Sequence, residues 1–284
     1  MSNREIIAGV IQRAIDAARE ARPDRAPLIG VAGAQGCGKS FQCRAFAAAH
    51  PRVAHFSLDD VYYTRSVRER IANAIIAALL ENGHQLYPTL SEADRRRAAE
   101  RTRNLLVTRG PPGTHDITLL RGLIARLQSD LSTPLPRFDK SIDDRAPETT
   151  WPLFQGPADA ILIDGWCLGM LPVQKGPPIN TVEAEDELMI WLTRVAGEAS
   201  AYDVAPFDEI IYFRAPSFEI VRRWRGQQEE EMLGRAMTPD ERRKLDRFIQ
   251  FYERISRAMI DGHHRARWIV QLDEERNVVG VEER

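Results

Sequence analysis

The stretch "LIGVAGAQGCGKS", residues 28–40, decides how the rest of the chain is read. Leu28 to Ala32 is a short apolar run rich in branched residues, the composition of a strand buried on both faces of a parallel sheet. After it, Gly33-Ala34-Gln35-Gly36-Cys37-Gly38-Lys39-Ser40 satisfies G-x-x-x-x-G-K-[ST] at every fixed position. A loop that wraps a di- or triphosphate needs glycine wherever a Cβ would hold the backbone away from the anion. Successive N–H groups and the N-terminus of the following helix, read over 39–49, then aim partial positive charge at one point. The pattern puts Lys39 on the β- and γ-phosphates and gives the Ser40 hydroxyl to Mg²⁺. Cys37 fills a variable loop position as a small residue; a second reading has the helix N-terminus lowering its pKa and exposing it to alkylation.

Further strands are expected at 52–58, 159–165, 208–213 and 267–272, with a frayed tail beyond. Ile6, Ile7, Val10, Ile11, Ala14 and Ile15 share one face of a helix over 4–22, and Val67, Ile71, Ile75 and Ala78 share one over 65–81. Other helices are expected from near Ser91 to no further than Gly110, over 116–127 and from about Phe218. Another opens at "TPDE" (238–241), with threonine as N-cap, proline first and glutamate third. Strands alternating with helices imply a mostly parallel sheet covered on both faces. The fold class expected is α/β, a kinase-type P-loop NTPase three-layer sandwich with helical insertions. The chain reads as one domain over 1–284: an N-terminal helix and linker (1–26), helical and acceptor-side insertions (65–158), and lid and C-terminal helices (216–260).

Two strand ends carry acids. Asp59 and Asp60 follow the second strand in "HFSLDDVYY" (55–63), on the side of an open parallel sheet where ligands bind. A carboxylate there can accept a substrate hydroxyl proton, or cap the next helix. "ILIDG" (161–165) is a Walker-B-like strand whose Asp164 would hold Mg²⁺ directly or through water.

The totals narrow the class. With 284 residues, 43% apolar and 28% charged, the chain can bury a core. A net charge of -2 gives no general drive toward nucleic acid or an anionic membrane. The clusters "RERIANA" and "DRRRAAERTR" lack aromatic interleaving and read as solvated helix faces. "AIIAALL" (74–80) is too short to span a bilayer. Nothing at the N-terminus resembles an export signal, and Cys37, Cys43 and Cys167 show no paired spacing, so a reducing, cytoplasmic setting is expected. "HH" (263–264) has no third ligand at useful spacing and reads as a polar loop.

The pieces "SLDDVYYT", "TRGPPGTHD", "LPRFDKSIDDR", "DGWCLG" and "WRGQQE" occur in the order seen in the glycerate kinase-like group of P-loop kinases. From about residue 28 to 272 the chain resembles that group, the plant-type D-glycerate 3-kinases with their fungal and bacterial relatives, within the phosphoribulokinase/uridine kinase superfamily. The resemblance implies ATP-dependent transfer of the γ-phosphoryl, with Mg²⁺, to a hydroxyl of a small anionic metabolite, D-glycerate favoured. It aligns Asp59 with the superfamily's catalytic aspartate, and Asp60 and Tyr62 are assigned to the acceptor side with it. Asp164 stands where the group more often has Glu in "EGW", an arm one methylene longer. The segment 65–90 is a further departure, an extra helix before the group's "LTKAER"-like stretch, here "LSEADR".

On the acceptor side, His115 and Asp116 could bind hydroxyls, with Asp116 equally a helix N-cap and His115 equally a packed histidine. Arg137 offers a planar fork for a carboxylate and Lys140 a point charge, whereas Asp139, Asp144 and Arg145 could form a surface network. In "VRRWRGQQEEE" (221–231), Arg222 or Arg225 could close over the moving phosphoryl, with Trp224 as packing. Two other readings stand beside this one. The same chemistry could serve a nucleoside, a pantothenate-like compound or a sugar phosphate. Alternatively the chain is a nucleotide-gated ATPase or switch with no small-molecule acceptor, although no NKxD guanine reader occurs. A monomer or small homo-oligomer is expected, with no nucleic-acid or membrane partner.

Overall fold

The computed structural model describes residues 1–86, 91–110, 113–129, 131–173, 176–185 and 204–284. A central sheet is built from β1 (Leu28–Gly33), β2 (Val53–Ser57), β3 (Ala160–Gly165), β4 (Glu209–Arg214), β5 (Trp268–Leu272) and β6 (Val278–Glu283). Its order is β6-β5-β4-β1-β3-β2. Every neighbouring pair is parallel except β5 with β6. β1 therefore lies in the interior, and its residues alternate between two cores. Leu28 and Ala32 face one side, Ile29 and Val31 the other, and all four are fully buried.

Helices α1 (Asn3–Ala21), α2 (Lys39–Ala49), α3 (Arg65–Leu86), α4 (Glu92–Val107), α5 (Ile117–Leu127), α6 (Phe218–Leu233) and α7 (Pro239–Ile260) supply the outer layers and the insertion. Of the expected face of α1, Ile6 is half-buried while Ile7, Val10, Ile11, Ala14 and Ile15, joined by Ala18, are buried and pack with Phe46 of α2 and Val221 and Trp224 of α6. Each large side chain so buried contributes about 1.5–3 kcal/mol. The opposite face is covered by Leu120, Leu123 and Leu127 of α5 and by Tyr252, Ile255 and Met259 of α7. This is the three-layer α/β sandwich of the P-loop kinases. The helix starts are chemically specified: Ser2 with Glu5, and Thr238 with Glu241, form reciprocal capping boxes, and Asp116 caps α5.

The structure corrects three expectations. The tail is not frayed: Val278–Glu283 pairs antiparallel with β5 through a turn in which Asp273 accepts from the N–H groups of Glu275 and Asn277. The 65–81 helix runs on to Leu86, and its buried side turns on Arg68 and Ala72. Arg68 donates to the carbonyls of Tyr63, Val107 and Asp143 and pairs with the Asp143 carboxylate, fastening the insertion to the loops around it. The "HH" loop is only partly polar surface: His264 within it is buried, its ring tilted against that of Tyr212 and its Nδ1 accepting from Ala266 N–H. No helix among the described residues is long and apolar enough to cross a membrane.

Candidate active site

A cavity of about 580 Å³ opens at the C-terminal ends of the central strands, and the glycine-rich loop forms one wall. Gly38 is the N-cap of α2 with φ +89°, and no side chain caps the helix, so its first N–H groups are left for a ligand. Gly36 has φ +77°, and a Cβ there would lie 2.8 Å from Cβ of Trp224 and 2.9 Å from its carbonyl carbon. Gly33 and Ala34 lead out of β1 into the loop, while Gln35 to Gln42 line the cavity.

Lys39 points its Nζ along the loop, 3.5 Å from the Ala34 carbonyl. Burial works against its charge, but the surrounding groups, Asp164 and Asp59 among them, hold its pKa above the ordinary lysine value. Cys37 is buried, and burial pushes its thiol up against the pull of Lys39. The low-pKa alternative for Cys37 therefore fails: a desolvated thiol gains more from staying neutral than the helix N-terminus offers its thiolate.

Asp164, at the end of β3, is 1% exposed and fully engaged. Its Oδ2 accepts from Ser40 Oγ at 2.5 Å and from Ser57 Oγ at 3.2 Å, and its Oδ1 lies 2.8 Å from His55 Nε2. Two hard oxygen donors, a hydroxyl and a carboxylate, thus converge beside the phosphate loop, a donor set that fits Mg²⁺. Among the described residues, Cys43, His55 and Asp164 also group within 4.8 Å, but burial pushes the Cys43 thiol well up, which leaves it a neutral filler.

The opposite wall carries Asp59. Tyr62 donates its hydroxyl to Asp59 Oδ1 and Lys140 its ammonium to Oδ2, both at 2.9 Å. Burial alone would raise the Asp59 pKa; Lys140, the Tyr62 hydroxyl and Lys39 outweigh it and hold the group at about 2. Behind Tyr62, His115 stacks ring on ring at 4.4 Å. It is 4% exposed, its Nε2 has no hydrogen-bond partner among the described residues, and burial pulls its pKa down to about 4.

The other acceptor-side residues face elsewhere. Asp60 accepts from the N–H groups of Ser57 and Phe138 and pairs with Arg137 at 3.4 Å, so this trio ties the turn after β2 to the ribbon strand Phe138–Asp139. Asp116 caps Leu119 N–H and pairs with Arg145, which also donates to the Tyr62 carbonyl. None of Asp60, His115, Asp116 and Arg137 lines the cavity wall; they brace the segment that presents Asp59 and Tyr62. Pro111 and Pro112 of "TRGPPGTHD" lie outside the described residues.

On α6 the two arginines separate. Arg225 lines the cavity and pairs with Glu229 at 2.7 Å, whereas Arg222 pairs with Asp246 of α7 away from it. Trp224 is wholly buried packing, with its Nε1 on the Glu274 carbonyl. Sequence reasoning missed three cations of the wall, Arg44 on α2 and two that reach it from other segments. Arg109 reaches it paired with Asp143 and stacked over Phe138. Arg276 donates to the Gly36 carbonyl at 2.6 Å and lies over the Trp224 ring at 5.1 Å. Arg109 sits in "TRG", where a basic residue beside a turn was a usable signal. Arg276 acts across 240 positions of sequence and had none.

No family model matches the chain. It is 28% identical over 240 residues to "D-glycerate 3-kinase, chloroplastic" of Arabidopsis thaliana, a match covering 79% of this chain and 46% of the plant protein. The chain thus spans about half the length of that relative. It is 24% identical over 273 residues to "Uncharacterized kinase mug58" of Schizosaccharomyces pombe, covering 89% of this chain and 87% of that one. Among solved structures, a D-glycerate 3-kinase from Cryptococcus neoformans superposes over the whole of both chains with a TM-score of 0.68 at 23% identity. That likeness shows the fold, and the two sequence matches bear out the resemblance to the glycerate kinase-like group.

Proposed function

We propose that this protein is an ATP-dependent small-molecule kinase that transfers the γ-phosphoryl to a hydroxyl of a small anionic metabolite, with D-glycerate the favoured acceptor. The observation that carries the reading is the placement of Asp59 on the wall shared with a complete phosphate loop, its carboxylate held ionised by Lys140 and Tyr62. A switch that hydrolyses its nucleotide has no need of a cation, a phenol and a carboxylate joined to one another opposite the loop. The names of the relatives support the same reading.

Lys39 and the loop N–H groups bind and orient the phosphates, and Ser40 with Asp164 would hold Mg²⁺, which supplies charge neutralisation for phosphoryl transfer. Asp59 orients the acceptor hydroxyl through one carboxylate oxygen. A carboxylate with a pKa of about 2 is a weak base, suited to taking the proton late, as the phosphoryl departs. An anionic acceptor that engages Lys140 draws that charge off Asp59 and raises its basicity as the hydroxyl arrives. Arg225 is the lid cation placed to meet charge spreading over the moving phosphoryl.

The test is ATP consumption with Mg²⁺ against hydroxy acids, nucleosides and sugar phosphates, with products read by mass. The expected product is phosphoglycerate, and Lys39→Ala and Asp59→Asn abolish its formation. Near-full activity in either variant overturns the assignment. A different phosphorylated product keeps the kinase and discards glycerate; hydrolysis indifferent to every acceptor replaces the kinase with a switch.

A further inference from the structure

We propose that His55 is a positioning residue for the Mg²⁺-binding carboxylate: it commits one oxygen of Asp164 to its imidazole and leaves the other turned to Ser40. The inference rests on the reading of Ser40 and Asp164 as the cation site given under the proposed function.

The argument begins in the strand register. On β2, Val53, His55 and Ser57 share one face while Ala54 and Phe56 fill the core on the other. Ser57 lies opposite Asp164 and His55 opposite Leu162, two positions back along β3 and on the same face as Asp164. Pairing β2 with β3 therefore delivers both a hydroxyl and an imidazole to one carboxylate. The side chain of His55 is 9% exposed and that of Asp164 1%, so neither oxygen has water as a ready substitute partner.

The two oxygens are not equivalent. Oδ1 meets His55 Nε2 at 2.8 Å, and Oδ2 meets Ser40 and Ser57. A carboxylate only accepts, so Nε2 carries the proton in this contact. The terminal torsion of aspartate is broad and roughly two-fold, so an unclamped carboxylate could trade one oxygen for the other or sit between them. The short arm of Asp164 leaves little reach to recover from such a turn. His55 does not line the cavity, so any effect it has on the cation passes through Asp164. Partners of this kind, one bond removed from a metal, typically tune affinity by about 10–100-fold.

The test compares His55→Leu, which removes the donor, with His55→Gln, whose amide nitrogen can restore an N–H to Oδ1. ATP affinity is measured by calorimetry in EDTA and across a Mg²⁺ titration. His55→Leu is expected to leave metal-free ATP affinity within about twofold and to raise half-saturating Mg²⁺ by about tenfold or more. His55→Gln is expected to bring it back to within about threefold. Wild-type Mg²⁺ dependence in His55→Leu overturns the proposal, as does an equal loss of metal-free ATP affinity in both variants. Should His55→Leu fail to fold, His55→Asn, with too short an arm to reach Oδ1, is the loss variant. Because the readout is binding, a wild type that responds this way yet phosphorylates no acceptor refutes the proposed function and leaves His55 standing. A wild type whose ATP affinity ignores Mg²⁺ refutes the cation site and, with it, the role of His55.

Discussion

Acid should weaken this protein through His115, and the size of the effect follows from its surroundings. The ring is 4% exposed, stacks on Tyr62, and leaves Nε2 without a hydrogen-bond partner among the described residues. Burial pulls its pKa from 6.5 to about 4, with Asp59 opposing. Between those two values the unfolded chain binds a proton that the folded chain refuses, so stability falls as pH drops through 6.5 toward 4 and the loss is complete below it. The limiting loss is about 3 kcal/mol, of which about 2 kcal/mol is reached at about pH 5. The assay is urea unfolding of the wild type and His115→Phe, which keeps the stack on Tyr62 but cannot titrate, at about pH 7.5 and about pH 5. His264 is also depressed to about 4, but it is present in both proteins and cancels from the comparison. The wild type should lose about 2 kcal/mol more than the variant over this interval. Equal losses in the two proteins would show that His115 takes up its proton as readily folded as unfolded, and would refute the reasoning.

Three further outcomes are expected. Arg225→Ala should lower kcat by about 10²–10³-fold, while Arg222→Ala, whose exposed ion pair with Asp246 is worth little, stays within about twofold; the reverse pattern in steady-state kinetics would move the lid cation to Arg222. Gly36→Ala must adopt φ +77° against Trp224, and should cost about 1–3 kcal/mol in thermal melts together with most of the ATP affinity; a wild-type melt and titration would contradict the packing described. Lys140→Met removes the charge that holds Asp59 at about 2, so the acid limb of kcat/KM should move upward in pH and acceptor KM should rise; an unmoved limb would detach Lys140 from Asp59.

Residues whose roles are set locally were legible in the sequence. The phosphate loop is defined by its own backbone, and the buried strands announce themselves as apolar runs because both faces are covered. The capping box at Thr238 spans only four residues, Thr238 to Glu241. The edge strand Val278–Glu283 was hidden because only one side of it pairs, and its exposed Val279 and Val281 blur the expected alternation. The split between Arg222 and Arg225 was hidden as well, since the two are three positions apart on α6 and only the packing of α7 against that helix, through Asp246, tells them apart. At the end of β2, sequence placed both acids by the phosphates. It could not show that Asp60 would spend both oxygens on backbone N–H groups, because Phe138, one of the donors, lies 78 residues away.

The contact of Gly36 with Trp224, covered by Arg276, has a consequence for how this protein can change over evolutionary time. Three distant stretches of chain meet there: the phosphate loop, the helix that carries Arg225, and the turn into the edge strand. A side chain at 36 has no room even if 224 shrinks, because the atoms it would meet are the Cβ and the backbone carbonyl of 224, while a smaller residue at 224 would strip Arg276 of the ring it lies over. Position 36 is therefore expected to stay glycine whatever stands at 224, while 224 and 276 are expected to change together. Variants of the loop designed without regard to residues 224 and 276 would meet a barrier that lies outside the loop itself.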